Sequence, residues 1–533
     1  MLPPPALRGT FRADARARAA YSEGAGIYRI LPRAVARPAD PDDLRKLIEW
    51  AAADRVALIP RGAGSAMGGG NVGDGLIVDL TGMPRQLLVD PSSRTAVTSC
   101  SVTLQDLQAA AAVHGLRLPP DPSSWRWATL GGMVSTNAAG ARSVRYGSVR
   151  RWIRALSLLT REGELVRLRR GSSTKVDPDM ERTLQIAAPL IRSRFPETRK
   201  NSSGYALDEY LASGDVIDLI IGAEGTLGIV TEIEWELDDV PRCRGGMRVQ
   251  LPSLRSLSEV VTTLRVYDPS AVELLDRSFL DLLGEQTLTG AGLDAGIEAL
   301  LLVEFERDDA EDLRSAVSQA VRGVHPWALT VETAYTSAEA ERLWNTRHAA
   351  SPILASLGES RRSLQVIEDA CVPLGRVSEY IEAVRSLAGD IGVPVVMFGH
   401  AGDGHIHVNL LPDTQKPGWE TNLVTLLNEV TTTVIQLGGT PSGEHGDGRL
   451  RAGMLVNVYG AEIMELFQKV KNSFDPLGIF NPGIILPSGE PPISRLKVGT
   501  GATPIPSDIE KALREIELRG AYERNRLEIA GEQ

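Results

Sequence analysis

Four of the seven histidines lie in two short glycine-rich segments. The segments are 399–411, GHAGDGHIHVNLL, and 442–448, SGEHGDG. If the end of the first segment is a strand, His405, His407 and Asn409 share one face of it, and the glycine turn before them can return His400 to that face. Imidazoles combined with the carboxylate of Glu444 suit a divalent metal such as Zn²⁺ or Mn²⁺, with a coordination position left open for a substrate.

A histidine next to such a metal, but not bound to it, can accept a proton near neutral pH. The spacing does not match HExxH, so metal-dependent hydrolysis is not specifically supported. We interpret the isolated His114 and His325 as hydrogen-bonded structural residues. The cluster therefore predicts a metal site or an acid–base site.

Glycine is enriched to 52 residues, and three glycine-rich segments precede Leu237. They are 60–70, PRGAGSAMGGG, 129–140, TLGGMVSTNAAG, and 222–230, GAEGTLGIV. Such loops let backbone N–H groups approach an anion, because no Cβ intervenes. Met67 stands where a dinucleotide fingerprint has its third glycine, and no GK[ST] follows a loop, so neither a Rossmann fingerprint nor a P-loop is present. The three loops together suggest one ligand contacted along its length, without identifying it.

The composition of the 533-residue chain excludes several classes of protein. It is 43% hydrophobic and 23% charged, which is typical of globular proteins with two or three domains. A net charge of −11 and 5% aromatic residues argue against nucleic acid as a partner. Cys100, Cys243 and Cys371 are far apart in sequence, so neither a disulfide framework nor a chain-borne Fe–S cluster is expected. No apolar run approaches about 18–20 residues, so we expect no transmembrane segment and a cytoplasmic protein.

The elements that must position these residues are predicted to be helices alternating with strands. An N-capped amphipathic helix is predicted over 40–53, and strands over 55–60 and 76–80 flank the first glycine loop. From about 241 to 390 the chain alternates strand-like and helical runs, which predicts an α+β domain. After a stretch rich in proline, serine and glycine, residues 508–528 form a charged helix that we expect to be peripheral.

Read together, these motifs resemble those of FAD-linked oxidases of the vanillyl-alcohol oxidase / p-cresol methylhydroxylase (PCMH) type. In the family's order they are PRGAGSAMGGG at 60–70, DPSS at 121–124, TLGG at 129–132, TNAAG at 136–140, RYG at 145–147 and GAEGTLGIVT at 222–231. The two histidine segments, EDACVP at 368–373 and DPLGIFNPG at 475–483 are similar to the C-terminal domain of the 2-hydroxyacid branch. That branch includes D-lactate dehydrogenase, the FAD subunit of glycolate oxidase and D-2-hydroxyglutarate dehydrogenase. The resemblance covers about residues 20–490.

The resemblance implies an α+β fold with a two-lobed PCMH-type FAD-binding domain and an α+β FAD-linked oxidase C-terminal domain, the substrate or cap domain. The implied units are an N-terminal helical segment (1–32), the FAD-binding domain (33–239), the substrate domain (240–455), a return to the FAD-binding domain (456–490) and a linker with a charged helical tail (491–533).

The resemblance also implies FAD as cofactor. Ser65-Ala66 stands where enzymes that attach FAD covalently have a histidine, so non-covalent FAD is expected. The implied FAD contacts are Pro60, Arg61, Gly62, Ala63, Gly64, Ser65, Gly68, Gly69, Pro122, Ser123, Thr129, Gly131, Gly132, Thr136, Asn137, Ala138, Gly140, Tyr146, Glu224, Gly225, Leu227, Gly228, Ile229 and Asn481.

The catalytic residues come from the same resemblance. The implied roles are metal ligands (His400, His407 and Glu444), catalytic base (His445), substrate-contacting asparagine (Asn409), carboxylate-binding arginine (Arg347) and a further substrate contact (Ser351, where the hydroxyglutarate enzymes have a threonine). Two positions depart from the family. The family usually has an asparagine at the position of His405. We expect His405 to be an extra metal ligand, a residue behind the ligands or a substrate contact that tunes the site. Ile367 replaces the lysine that binds the distal carboxylate in hydroxyglutarate enzymes, which favours a monocarboxylate unless Arg361 or Arg362 substitutes for it.

The function implied is the FAD-dependent, metal-assisted oxidation of a D-2-hydroxy acid resembling lactate or glycolate to its 2-oxo acid, with the hydride passing to flavin N5. The alternatives are a D-2-hydroxyglutarate dehydrogenase, a non-catalytic FAD electron-relay subunit, and the ether-lipid chemistry of alkylglycerone-phosphate synthase. Electrons are expected to leave to a separate Fe–S protein, flavoprotein, quinone or cytochrome, or to oxygen, with membrane contact only through such a partner. The sequence leaves open whether the protein forms a homodimer.

Overall fold

The computed structural model describes residues 3–172, 176–284, 288, 290, 292–294, 296–348, 354, 357 and 362–531. The strands are β1 (Thr10–Arg12), β2 (Ala34–Arg37), β3 (Leu58–Arg61), β4 (Leu76–Asp79), β5 (Leu87–Asp90), β6 (Thr95–Ser99), β7 (Leu116–Arg117), β8 (Ile153–Leu159), β9 (Leu165–Arg169), β10 (Ile229–Glu236), β11 (Asp238–Asp239), β12 (Cys243–Leu251), β13 (Ala271–Asp276), β14 (Ala299–Arg307), β15 (Thr330–Ala334), β16 (Val395–His400) and β17 (His405–Leu410).

The α-helices of the described residues complete the element order. They are α1 (Ala15–Ala20), α2 (Pro41–Asp54), α3 (Leu104–Ala112), α4 (Leu130–Thr136), α5 (Ser143–Tyr146), α6 (Pro178–Ile186), α7 (Ala188–Arg194), α8 (Leu207–Ser213), α9 (Ile217–Ile220), α10 (Leu257–Arg265), α11 (Arg277–Leu283), α12 (Ala310–Val324), α13 (Ser337–His348), α14 (Val377–Ile391), α15 (Trp419–Gln436), α16 (Gly448–Arg451), α17 (Leu455–Tyr459), α18 (Ala461–Phe474), α19 (Ser507–Arg519) and α20 (Arg526–Ala530). Within this described part of the chain, no helix combines the length and the apolar composition needed to cross a bilayer.

The first lobe is a four-stranded sheet in the order β1-β2-β4-β3, and β4 runs parallel to both of its neighbours. The predicted helix is α2, which Asp40 caps by accepting from the Asp43 backbone N–H, and it covers one face of this sheet. Because successive strand residues point to opposite faces, Val35, Ile59 and Ile77 face the other side. There α1, α19 and α20 cover them. The prediction of a peripheral C-terminal helix is therefore wrong, since α19 contributes to the core of this lobe.

The second lobe is an antiparallel sheet in the order β5-β6-β10-β8-β9. Its core holds the fully buried Trp235, whose indole nitrogen donates to Thr98 Oγ1 at 2.9 Å. The chain returns to this lobe through α17 and α18 and then reaches the first sheet, where Phe480 forms a parallel bridge with Leu58.

The predicted substrate domain contains a six-stranded antiparallel sheet in the order β15-β12-β14-β13-β16-β17. Helices α10, α12, α14 and α15 cover one face, where Ile406 and Val408 are buried. His405, His407 and Asn409 alternate with these residues, so the predicted division of strand β17 into two faces is confirmed. The other face of this sheet carries the polar residues described below.

Lys471 links the returning helix α18 to the third glycine-rich segment. Its buried Nζ donates to the Thr226 carbonyl at 2.7 Å, and to the Asp475 carboxylate and the Phe480 carbonyl at 2.6 Å each. A buried ammonium is tolerated only when its hydrogen bonds are all made, as here.

Replacing this lysine should therefore destabilise the protein. We expect Lys471→Met to lower the free energy of unfolding by about 3–5 kcal/mol, because Asp475 is left as an unpaired buried charge. The measurement is urea denaturation followed by circular dichroism. The control is Lys469→Met on the exposed side of the same helix, for which a change within about 0.5 kcal/mol is expected. Equal stability of the two variants would contradict this account.

Candidate active site

A cavity of about 1350 Å³ lies between the two lobes and the substrate domain. The three glycine-rich segments line it from one side, and His400, His407, Glu444 and His445 line it from the other. The predicted cofactor residues that line it are Pro60, Arg61, Gly62, Ala63, Gly64, Ser65, Pro122, Ser123, Thr129, Gly131, Gly132, Thr136, Ala138, Glu224, Gly225, Gly228 and Ile229. Residues predicted from separate segments are thus brought to one cavity.

Seven of the predicted cofactor residues do not line this cavity. They are Gly68, Gly69, Asn137, Gly140, Tyr146, Leu227 and Asn481. Two of them support the lining residues instead: the Asn481 amide donates to the carbonyls of Gly70 and Glu224, and the Gly140 backbone N–H donates to Glu444. Short motifs mark such supporting residues and the lining residues alike, so sequence alone does not separate them.

Three donor atoms converge at the histidine end of the cavity. His400 Nε2 lies 3.2 Å from Glu444 Oε1 and 3.3 Å from His407 Nε2, and the third separation, His407 Nε2 to Glu444 Oε1, is 3.7 Å. Tetrahedral Zn²⁺ with bonds near 2.0–2.1 Å requires ligand atoms about 3.3 Å apart. The three predicted metal ligands therefore have the spacing that a small divalent cation requires.

The other ring nitrogens of the two histidines are held by hydrogen bonds. His400 Nδ1 lies 2.5 Å from Glu273 Oε1, and His407 Nδ1 lies 2.9 Å from the Glu368 carbonyl oxygen. Donation from Nδ1 to such acceptors leaves the Nε2 lone pair for a metal and fixes the ring orientation. Burial lowers the pKa of His407 well below its usual value, and the neighbouring imidazoles of His405 and His400 lower it further, so this ring is neutral.

Lys200 keeps Glu444 ionised. The buried Lys200 Nζ donates to Glu444 Oε2 at 2.8 Å and to the Gly140 carbonyl at 3.2 Å. Burial raises the pKa of Glu444, but the charges of Lys200 and His400 outweigh burial and lower it well below its usual value. The motifs did not identify Lys200, which precedes Glu444 by 244 positions.

His405 lies behind the three predicted metal ligands, between Lys200 and Asp369. Its Nδ1 accepts from Lys200 at 3.3 Å, and its Nε2 lies 2.9 Å from Asp369 Oδ1. Its donor atoms lie close to those of His400, His407 and Glu444, but its side chain does not line the cavity. The prediction that His405 contacts substrate is therefore wrong, because both ring nitrogens are engaged within the protein.

His445 lies beside the three donor atoms of His400, His407 and Glu444. Its ring is nearly parallel to that of His407, and the two ring centres are 5.4 Å apart. Its backbone N–H donates to Asp369 at 2.9 Å, and its Nδ1 lies 3.4 Å from both Glu368 and Asp369 carboxylate oxygens. Burial lowers the pKa of His445, but these carboxylates raise it to about 9, so they stabilise the protonated ring. Arg451 compensates the charge of Glu368 through an ion pair at 2.7 Å.

Arg347 lines the cavity from α13 and lies over the ring of Phe398, with the guanidinium carbon 4.8 Å from the ring centre. Its Nε donates to Glu273 Oε2 at 2.8 Å, and the other oxygen of Glu273 binds His400. Glu273 was not among the predicted site residues. The one available signal was a carboxylate inside an otherwise apolar strand, AVELL at 271–275.

The remaining residues considered as substrate contacts differ in where they lie relative to the cavity. Asn409 lines the cavity, and its Oδ1 accepts from the Ser363 hydroxyl at 3.0 Å. Ile367 packs in the apolar core rather than on the cavity wall. Arg362 does line the cavity, but Glu517 pairs with it at 2.5 Å. Ser351 and Arg361 lie outside the described residues.

Two family models together match most of the chain. The model described as FAD binding domain matches residues 32–169, and the model described as FAD linked oxidases, C-terminal domain, matches residues 241–485. The chain belongs to the FAD-linked oxidases. This FAD-linked oxidoreductase has an α+β fold with a PCMH-type FAD-binding domain, as the sequence motifs implied.

Curated relatives cover most of the chain. A D-lactate dehydrogenase of Archaeoglobus fulgidus is 28% identical over 86% of this oxidoreductase and 93% of the relative. The glycolate oxidase subunit GlcD of Bacillus subtilis is 28% identical over 86% and 89% of the two chains, and a D-2-hydroxyglutarate dehydrogenase of Xanthomonas citri pv. viticola is 27% identical over 86% and 90%. Among solved structures, p-cresol methylhydroxylase with substrate bound matches with a TM-score of 0.67 at 12% identity, over 90% of this chain and 95% of that chain. At that identity the structural likeness concerns the fold alone.

The cavity of this oxidoreductase fits FAD. A Cβ at Gly62 would lie 2.2 Å from Thr129 Oγ1, and one at Gly225, where φ is +71°, would lie 3.0 Å from the Pro60 ring. The glycine-rich segments therefore approach each other more closely than other residues allow, with backbone rather than side chains on that wall. Such a wall suits the pyrophosphate and ribityl parts of FAD.

The three converging donor atoms predict that this oxidoreductase binds a divalent metal, with His407 as one of the ligands. We expect His407→Ala to lose the metal while retaining FAD, because the glycine-rich segments are untouched. The measurement is elemental analysis together with the flavin absorbance of the same sample. The matched control is His405→Asn, which we expect to keep the metal because His405 is engaged by Lys200 and Asp369. Equal metal loss in both variants would disprove this assignment of ligands.

Proposed function

We propose that this FAD-linked oxidoreductase oxidises a small D-2-hydroxy monocarboxylic acid, similar to lactate or glycolate, to the 2-oxo acid. The observation that carries the proposal is the convergence of His400, His407, Glu444, His445 and Arg347 on the cavity that the FAD-type loops line. The relatives include a D-lactate dehydrogenase and a glycolate oxidase subunit, which supports this class of substrate. When bound, FAD supplies a hydride acceptor at its N5 atom.

Arg347 binds the substrate carboxylate in this proposal. A guanidinium matches the two oxygens of a carboxylate, and pairing of its Nε with Glu273 holds it in one orientation. Asn409 offers a second polar contact. Because the Ser363 hydroxyl occupies its Oδ1, the amide nitrogen is the group left to donate.

His445 takes the proton from the substrate hydroxyl in its unprotonated form, which a pKa raised to about 9 makes the minor form near neutral pH. Glu368 and Asp369 face its Nδ1 and stabilise the imidazolium that this transfer creates, leaving Nε2 as the atom that accepts the proton. His400, His407 and Glu444 would hold a divalent cation, and such a cation would supply Lewis-acid polarisation of the substrate oxygen, which would favour loss of the hydroxyl proton. The chain's own residues thus position the acid and receive the proton.

The substrate-domain side of the cavity favours a monocarboxylate. Arg362 is paired with Glu517, and Arg244 lies near Glu304 and Glu341, so neither cation is left for a distal carboxylate. Ile367 does not face the cavity. A D-2-hydroxyglutarate dehydrogenase is the second candidate, because relatives with that name match over a similar length.

We also propose a separate electron acceptor. The described cysteines, Cys100, Cys243 and Cys371, are all free, and Cys100 and Cys371 are buried in different domains. They therefore cannot together ligate an internal Fe–S cluster. The relative named as a glycolate oxidase subunit is in keeping with electron transfer to another chain.

The first test is anaerobic reduction of the bound flavin. We expect D-lactate or glycolate to bleach the flavin absorbance of the wild-type protein, and D-2-hydroxyglutarate to do so much more slowly. His445→Ala should retain FAD and metal but reduce flavin about 10²–10⁴-fold more slowly, because the proton acceptor is lost. Bleaching by no hydroxy acid would favour an electron-relay subunit, and fastest bleaching by D-2-hydroxyglutarate would favour the second candidate.

The second test concerns the carboxylate contact. We expect Arg347→Lys to raise the KM for the hydroxy acid at least tenfold, because an ammonium cannot bind a carboxylate in a two-pronged arrangement and donate to Glu273 with the same geometry. Steady-state kinetics measures this change, and FAD content should not alter. The control is Arg342→Lys on the exposed side of the same helix, for which an unchanged KM is expected. An unchanged KM in Arg347→Lys would refute the role of Arg347.

A further inference from the structure

The C-terminal segment 507–522 lies outside the residues that the two family models match, yet it is built into the first lobe. Ile509, Leu513 and Ile516 of α19 are buried against the sheet face formed by Val35, Ile59 and Ile77. These apolar contacts fix α19 beside strand β3, whose end enters the first glycine-rich loop.

The same segment forms part of the cavity wall. Its lining residues are Arg514, Glu517, Leu518, Arg519, Gly520 and Tyr522. The Tyr522 ring lies 5.8 Å from the ring of Trp127, which also lines the cavity. The turn at Gly520 has φ +63°, and a Cβ there would lie 2.9 Å from the Trp127 ring. The chain therefore closes tightly on Trp127.

Trp127 itself has an unused donor. Its indole Nε1 is buried and finds no hydrogen-bond partner among the described residues. This atom is therefore covered by protein, and it is the rest of the Trp127 ring that lines the cavity. Together with Tyr522 it offers an aromatic surface, which suits the flat ring systems of FAD.

The segment also supports the first glycine-rich loop from behind. Arg514 pairs with the carboxylate of Glu23, whose carbonyl accepts from Arg61 Nη2 at 2.9 Å. The Arg61 guanidinium lies directly against Gly64, where a Cβ would be 2.4 Å from Nη2. The position of the loop thus depends on a chain of contacts that begins in α19.

A third connection reaches the substrate domain. Glu517 pairs with Arg362 at 2.5 Å and with Lys497 at 2.9 Å. Arg362 precedes Ser363, the residue that orients Asn409. The segment therefore spans from the FAD-binding lobe to the substrate domain along the wall of the cavity.

We propose that residues 507–522 are part of the FAD-binding site and retain the cofactor, with the Tyr522–Trp127 pair as wall and the Arg514–Glu23–Arg61 contacts as support for the loop. The ligand of this added wall is FAD itself, which the FAD binding domain of this family implies without reference to the substrate. The proposal thus does not depend on the identity of the hydroxy acid.

The test compares FAD affinity in full-length variants after removal and re-addition of FAD. We expect Tyr522→Ala to raise the dissociation constant for FAD about tenfold or more, because the aromatic wall is lost. Tyr522→Phe keeps the ring and should bind FAD as the wild type does. Quenching of flavin fluorescence measures both, and the melting temperature of each apoprotein shows whether it is folded. Wild-type affinity in a folded Tyr522→Ala protein would overturn the proposal.

A second measurement uses the unaltered protein. We expect FAD to slow backbone hydrogen exchange in residues 514–522, compared with the apoprotein, because the cofactor completes the wall that they form. The internal control is α2, which covers the opposite face of the same sheet and should change less. Equal exchange of residues 514–522 with and without FAD would also overturn the proposal.

Discussion

The Glu273 carboxylate is the contact on which the geometry of the site depends. It is fully buried, and its two oxygens bind His400 from strand β16 and Arg347 from helix α13. A buried carboxylate is stable only when its charge and its lone pairs are satisfied, so both partners are held close to it. One side chain thereby sets the position of a proposed metal ligand and of the proposed carboxylate-binding group. Their separation is therefore set by a residue of strand β13, which lies inside the sheet.

The same principle extends across the domain boundary. Lys200, from the FAD-binding part of the chain, pairs with Glu444, and Arg142 from the same part pairs with Glu304. These buried charges compensate one another only when the two domains are docked. The site is therefore assembled by the same contacts that hold the domains together, and the cofactor cavity lies along that boundary.

Much of the site was predictable because its determinants are local. The period of two along β17 correctly separated His407 and Asn409 from Ile406 and Val408. The same rule placed His405 on the correct face but could not show that it is packed inside the protein, since one face of a strand can border both a cavity and a packed interior. The charged composition of α19 suggested a peripheral helix, but three apolar residues at helical spacing are enough to dock it on the sheet.

The sequence by itself determined the family, the glycine-rich segments, the secondary structure around them and the set of histidine and carboxylate side chains, because each depends on neighbours within a few positions. Only the tertiary structure decided which of these side chains face the cavity, and it added Glu273, Lys200 and the C-terminal wall. Arg347 follows Glu273 by 74 positions, and Glu444 follows Lys200 by 244. The physical reason is that buried charges are paired by the packing of whole domains, which no local periodicity encodes.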